Sequence, residues 1–226
     1  GALHQLNIEQ ALSVAIREGQ LRLFYQPIIE AATGRLGGFE ALVRWYHPTQ
    51  GMISPADFIP VAERSGLIVE MTRWIVGVAS DALVGLRDRL LSHPTLCEHV
   101  SEGLFVSVNF SSRDFLDESL MAYVHETLNN HNLPANGIKI EITESVLMTS
   151  PEQVTEALIA CKERGASVAI DDFGTGYSSL SYLQSMPADT LKIDQAFIRP
   201  MHLDDRHMAL VESIIHLAQR LQMTTV

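Results

Sequence analysis

Leu21-Arg22-Leu23-Phe24-Tyr25-Gln26-Pro27-Ile28-Ile29 and Gly37-Gly38-Phe39-Glu40-Ala41-Leu42-Val43-Arg44-Trp45 are two strand-like runs, and only the short stretch 30–36 separates them. A parallel crossover needs a dozen or more residues, so this connector forces an antiparallel hairpin that turns through Thr33-Gly34. Further strand-like runs follow at 104–110, 138–143, 167–170 and 190–193, and a seventh starts at Met223. Helical stretches lie between them, an order that predicts an α/β chain with a mainly parallel sheet. Together these readings give an α/β barrel whose opening strand runs backwards.

The helices announce their ends. Ser150-Pro151-Glu152-Gln153 offers a capping serine, proline at the first helical position and glutamine at the capping-box position, with Gly165 as the stop. Ser54-Pro55-Ala56-Asp57 opens another helix in the same way. Near the C-terminus Val211, Ile214, Ile215, Ala218 and Leu221 recur at helical spacing and are read as core.

Composition narrows the class. The 226 residues are 46% apolar and 19% charged, with a mean hydropathy of +0.11, which suits one well-cored domain of barrel size. A net charge of −11 would repel the backbone of a long nucleic acid, so no polymeric DNA or RNA partner is expected. A small phosphorylated ligand stays open, because Mg²⁺ or Mn²⁺ can invert the field of an acidic cleft. Cys97 and Cys161 form no CxxC pattern and fit buried thiols in a reducing compartment, hence the cytoplasm. The apolar stretch 74–86 is broken by Ser80 and Asp81, short of the roughly 18 residues a membrane span needs. No direct membrane insertion is expected, although domains outside this chain could tether it. Gly1-Ala2-Leu3-His4 carries neither initiator methionine nor signal pattern, so the chain looks like a module of a longer polypeptide.

The chemistry sits at strand ends. Asp171-Asp172-Phe173-Gly174-Thr175-Gly176-Tyr177 follows a short apolar strand with two adjacent carboxylates and a two-glycine loop. Strand alternation puts Glu40, Leu42 and Arg44 on one face and Phe39, Ala41 and Val43 on the other. By the same parity Asn109 points away from the apolar side, Glu141 stands between Ile140 and Ile142, and Lys192 between Leu191 and Ile193. In a β/α barrel such residues gather where the strands end. Glu40, Asn109, Glu141, Asp171 and Asp172 would then offer the oxygen ligands that hard cations prefer. Any one of them could instead cap a helix or line a hydrated barrel mouth; five on matching faces favour a metal site.

These motifs resemble the EAL domain, the bacterial family of cyclic di-GMP phosphodiesterases. The resemblance rests on Glu40-Ala41-Leu42-Val43-Arg44-Trp45, Gln26-Pro27-Ile28 before it and Ile53-Ser54-Pro55-Ala56-Asp57-Phe58-Ile59-Pro60 after it. Ser107-Val108-Asn109, Glu141-Ile142-Thr143-Glu144-Ser145, the 171–177 loop and Leu191-Lys192-Ile193-Asp194 extend it. It implies a TIM-like (β/α)8 barrel over 12–226, with 1–11 as lead-in residues. It also implies Mg²⁺- or Mn²⁺-dependent hydrolysis of cyclic di-GMP to linear pGpG. Glu40, Asn109, Glu141 and Asp171 would hold one ion, and Asp171 with Asp172 a second. Lys192 would orient the attacking water, Gln26, Leu42, Arg44 and Asp194 would contact the dinucleotide, and Glu144 would brace the 172–177 loop. Family precedent adds a homodimer and further regulatory domains. The family's additional glutamate at the end of the seventh strand and glutamine near the eighth have no counterpart before Val226. The chain is therefore expected to lack its C-terminal strands and part of the second ion site, and to turn over little on its own.

Two rivals remain: a non-catalytic cyclic di-GMP receptor, and a glycosidase using Glu141 and Glu144. Receptor-type relatives usually lose metal ligands, whereas those expected in this span are present. Glu141 and Glu144 differ in strand parity, which counts against the glycosidase. No Walker A, GxSxG or dinucleotide fingerprint occurs, and the nine histidines form no i,i+3 or i,i+4 pair suited to zinc.

Overall fold

The computed structural model of the chain describes residues 2–130, 133–174, 180–202 and 205–226. Helix α1 (Ala2–Arg17) leads into β1 (Leu21–Ile29), β2 (Leu36–His47), β3 (Gly51–Ile53), α2 (Pro55–Ser65), α3 (Leu67–Ser92) and β4 (Val100–Asn109). The chain continues through α4 (Ser112–Leu116), α5 (Glu118–Asn130), β5 (Ile138–Thr143), α6 (Glu144–Thr149), α7 (Pro151–Lys162) and β6 (Ser167–Phe173). Then come α8 (Leu180–Ser185), β7 (Thr190–Ile193), α9 (Gln195–Ile198), α10 (Asp205–Arg220) and β8 (Thr224–Thr225).

β1 and β2 form the expected antiparallel hairpin, turning through Gly34 at φ +70°. From β2 the sheet runs parallel through β4, β5, β6, β7 and β8, with β3 hairpinned onto β2. Helices flank it, and the sheet curls. One cleft of about 1190 Å³ is lined both by Gln26 and Ile28 at one end of the strand order and by Thr224 and Thr225 at the other. Among the described residues no ladder joins β8 to β1. The fold is the TIM-like α/β barrel with its first strand antiparallel, seen as an open, curled sheet.

Alternation along β2 decides which side is core. Ala41, Val43 and Trp45 are buried against Phe58 of α2 and the helices around it, while Glu40, Leu42 and Arg44 stay partly exposed on the other face. Trp45 meets Phe58 edge-on at 5.6 Å and donates its indole N–H to Gln20 Oε1 at 3.2 Å. Burying a side chain such as Phe58 is worth roughly 2–3 kcal/mol.

Three local expectations need correction, and one short strand is added to them. β6 does not stop at Ile170 but continues through Asp171, Asp172 and Phe173. β4 begins at Val100 rather than Leu104, because Leu36 of β2 pairs with Val100 before the register slips. β3 is too short to leave a period in the sequence. Ser150 precedes α7 without a side-chain capping bond, whereas Ser54 Oγ accepts from Ala56 N as expected. α1 runs across residue 12, and Ile8, Leu12 and Ala15 join the core.

Candidate metal and phosphodiester site

Glu40 of β2, Asn109 of β4, Glu141 of β5, Asp171 of β6 and Lys192 of β7 meet in the lumen. Gln26 of β1 lies directly opposite Glu40 of β2. Asn109 pairs with Glu141 across β4 and β5, and Thr143 with Asp171 across β5 and β6. On β5 the isoleucines 138, 140 and 142 are buried outward, which turns Lys139 and Glu141 inward.

The resulting centre is tight. Lys192 Nζ donates to Glu141 Oε2 at 2.7 Å and to Glu40 Oε2 at 3.2 Å, and stands 3.2 Å from Asp171 Oδ1. Asn109 Nδ2 donates to Glu40 Oε1 at 3.0 Å, so its carbonyl oxygen is the atom left to offer a cation. Oxygens of Glu40, Glu141 and Asp171 all lie within 4.8 Å of one another. Glu141 is only 1% exposed, and its Oε1 is buried with no hydrogen-bond partner.

A buried carboxylate oxygen without a donor is costly unless something positive completes it. Burial pushes the Glu141 carboxyl up to about 7; Lys192 opposes the rise, while Glu40 and Asp171 add to it. Burial would lower the Lys192 ammonium, but the surrounding Glu141, Asp171 and Glu40 outweigh it and hold Lys192 charged well above the ordinary lysine range. A hard-oxygen cradle with an orphaned acceptor and one amide oxygen fits a divalent cation such as Mg²⁺ or Mn²⁺.

Asp172 stands apart from that cluster. Its left-handed φ of +52° coincides with a register slip between Ile170 and Phe173, and the side chain is exposed at the cleft. Burial, Asp171 and a shared side-chain hydrogen bond with Asp194 raise its pKa. Asp194 also caps α9 by accepting from Ala196 N at 2.6 Å. Glu144 begins a helix rather than ending a strand, and its Oε1 accepts from Gly174 N at 3.0 Å. That places the two glutamates of the glycosidase reading on different elements with different partners. Leu42 and Arg44 continue the Glu40 face, Arg44 donating to Val43 O at 2.8 Å. Thr175, Gly176 and Tyr177 of the loop motif lie outside the described residues.

One lumen residue escaped the sequence reading. Lys139 sits on the Glu141 face, donates to Thr190 Oγ1 at 3.0 Å and lies 3.9 Å from the Phe105 ring centroid. Its parity in Ile138-Lys139-Ile140-Glu141 was the available signal.

The model of the EAL domain family matches residues 9–226, and the chain belongs to that family. It is similar to the cyclic di-GMP phosphodiesterase NbdA of Pseudomonas aeruginosa, at 39% identity over 225 residues, covering all of this chain and 28% of that protein. An uncharacterized protein of Azorhizobium caulinodans is 40% identical over 229 residues, with 30% of its length covered. The chain thus spans under a third of these curated relatives. Among solved structures it is similar to the EAL enzyme Bd1971 with cAMP and cyclic di-GMP bound. There the TM-score is 0.90 at 33% identity, covering 99% of this chain and 59% of that one. The PaMucR phosphodiesterase in complex with cyclic di-GMP gives 0.82 at 35% identity, covering 97% and 85%.

Proposed function

We propose that this domain hydrolyses cyclic di-GMP to linear pGpG with the help of Mg²⁺ or Mn²⁺. The observation that carries this reading is the convergence of Glu40, Glu141 and Asp171 within 4.8 Å around Lys192. Glu40, Asn109, Glu141 and Asp171 would hold one ion, and Asp171 with Asp172 a second. When bound, such ions supply a water acidic enough to lose its proton at neutral pH and positive charge beside the reacting phosphate.

The side chains do the rest. Lys192 donates toward the attacking water and offsets negative charge as water oxygen bonds to phosphorus and the ribose 3′-oxygen departs. Neutral Asn109 adds a ligand without adding to the repulsion among three carboxylates. Gln26, Leu42, Arg44 and Asp194 hold the dinucleotide, and Glu144 steadies the turn after Asp172 through Gly174. The domain, over 12–226, works as a homodimer in the cytoplasm within a longer polypeptide. Among the described residues no helix is long and apolar enough to cross a membrane.

The test is to incubate the natural polypeptide that carries this chain with cyclic di-GMP and Mg²⁺ or Mn²⁺ and to follow pGpG by chromatography. Cleavage is expected, and Glu40→Ala should reduce it at least about 100-fold, a few kcal/mol of lost ion and water positioning. Tight binding without product under either ion would establish the receptor reading instead. Full activity in the alanine variant would show the ligand assignment to be wrong.

A further inference from the structure

β1 and β2 stay in register without a slip from Leu21/Trp45 to Ile28/Gly38, so one face can be followed outward from the metal centre. Beyond the Gln26/Glu40 pair that face presents Phe24 opposite Leu42, then Arg22 opposite Arg44, then Tyr46. The reverse face, with Leu21, Val43 and Trp45, is buried in the core. The outward continuation is open: Phe24 is 49% exposed, Tyr46 42%, and Met52 beside it on β3 61%.

Two features there are unexpected for a bare surface. Phe24 and Tyr46 stack with ring centroids 6.4 Å apart at 29°, and the Arg44 guanidinium lies 5.9 Å over the Phe24 ring. Arg22 and Arg44 also face each other directly, an unfavourable like-charge pair. In a chain of net charge −11 neither forms a salt bridge among the described residues; Arg22 instead donates to Gly19 O and Leu21 O. Flat rings beside unneutralised guanidiniums suit a planar base attached to a phosphate. Guanine fits best, because its O6 and N7 form the acceptor pair that arginine reads bidentately. Phe24 lies two residues along the strand from Gln26, about 7 Å from the Glu40 level, within the span of one nucleoside.

We propose that Phe24 and Tyr46 form a stacking ledge for one guanine of the cyclic dinucleotide and that Arg22 reads its O6/N7 edge. This rests on the phosphodiesterase reading and adds a specificity element to it. Equilibrium dissociation constants for cyclic di-GMP and cyclic di-AMP, measured on the natural polypeptide in a Glu40→Gln background that blocks cleavage, test it. Phe24→Ala and Tyr46→Ala should each weaken both ligands about ten-fold or more, and Phe24→Trp should restore binding. Arg22→Met should cut the preference for cyclic di-GMP over cyclic di-AMP about ten-fold. Constants within two-fold of the parent for all of these variants, with the parent still binding, would overturn the ledge alone. A changed sedimentation coefficient with unchanged affinity would overturn it in favour of a protein interface. A parent that binds no cyclic di-GMP would sink the phosphodiesterase reading and the ledge together.

Discussion

Asp114 carries a titration that the fold makes readable. It is fully buried; its Oδ2 accepts from Ser111 N at 2.7 Å, Ser111 Oγ at 2.8 Å and Thr72 Oγ1 at 3.2 Å, while Oδ1 has no partner. Burial pushes its carboxyl up to about 6; the Ser111 and Thr72 bonds pull it down, and Glu63 raises it slightly. A folded-state value above the unfolded one means that the folded state binds more protons between about pH 4 and 6. Stability from this group is therefore full below pH 4 and falls as pH rises to about 6, by on the order of 3 kcal/mol. Asp114→Asn keeps an acceptor for the three donors and removes the charge, so its melting temperature relative to the parent should climb from pH 4 to 6 and then level off. A difference that stays flat across pH 4 to 8 would contradict this. Nothing in the sequence marks Asp114 as buried: between Arg113 and Phe115 it reads as an ordinary polar residue, and the packing of α4 against α3, α5, α6 and α7 encloses it.

At the scale of elements, the turn after β6 is held from two sides. Gly174 has φ +96°, its N–H is taken by Glu144 of α6, and a Cβ placed there would lie 2.7 Å from the Phe197 ring of α9. Gly174→Ala should lower stability by roughly 1–3 kcal/mol through backbone strain and that clash. Adding Phe197→Leu should recover part of the loss, the share due to the ring, and thermal melts of the single and double variants measure both. An unaltered melt for the single variant would show that the turn is free to relax. β5 and β7 were legible to the residue, because Ile-Lys-Ile-Glu-Ile alternates cleanly and the turns on either side are polar. The start of β4 was not: Ser101, Glu102 and Gly103 look like loop, and only pairing with β2 makes them strand. Alternation likewise could not separate Asp172 from Asp171, since the distinction comes from a left-handed residue and a register slip.

Over the whole molecule, the centre exists because the sheet curls. Glu40 and Lys192 lie far apart in sequence, yet they meet at 3.2 Å across the three parallel strands β4, β5 and β6 that intervene. Parity along each strand foretold which side chains face inward; how closely they approach depends on the strand stagger, which no local pattern records. In the structure Lys192 supplies the positive charge that lets three carboxylates share one small volume in an acidic chain. A divalent ion would complete that balance through Glu141 Oε1 and the Asn109 amide oxygen. Diffraction from crystals grown with Mn²⁺, recorded at the manganese absorption edge, locates such an ion directly. An anomalous peak touching oxygens of Glu40, Glu141 and Asp171 is the expected result. Active protein whose manganese binds elsewhere, with these three carboxylates still gathered on Lys192 alone, would contradict it.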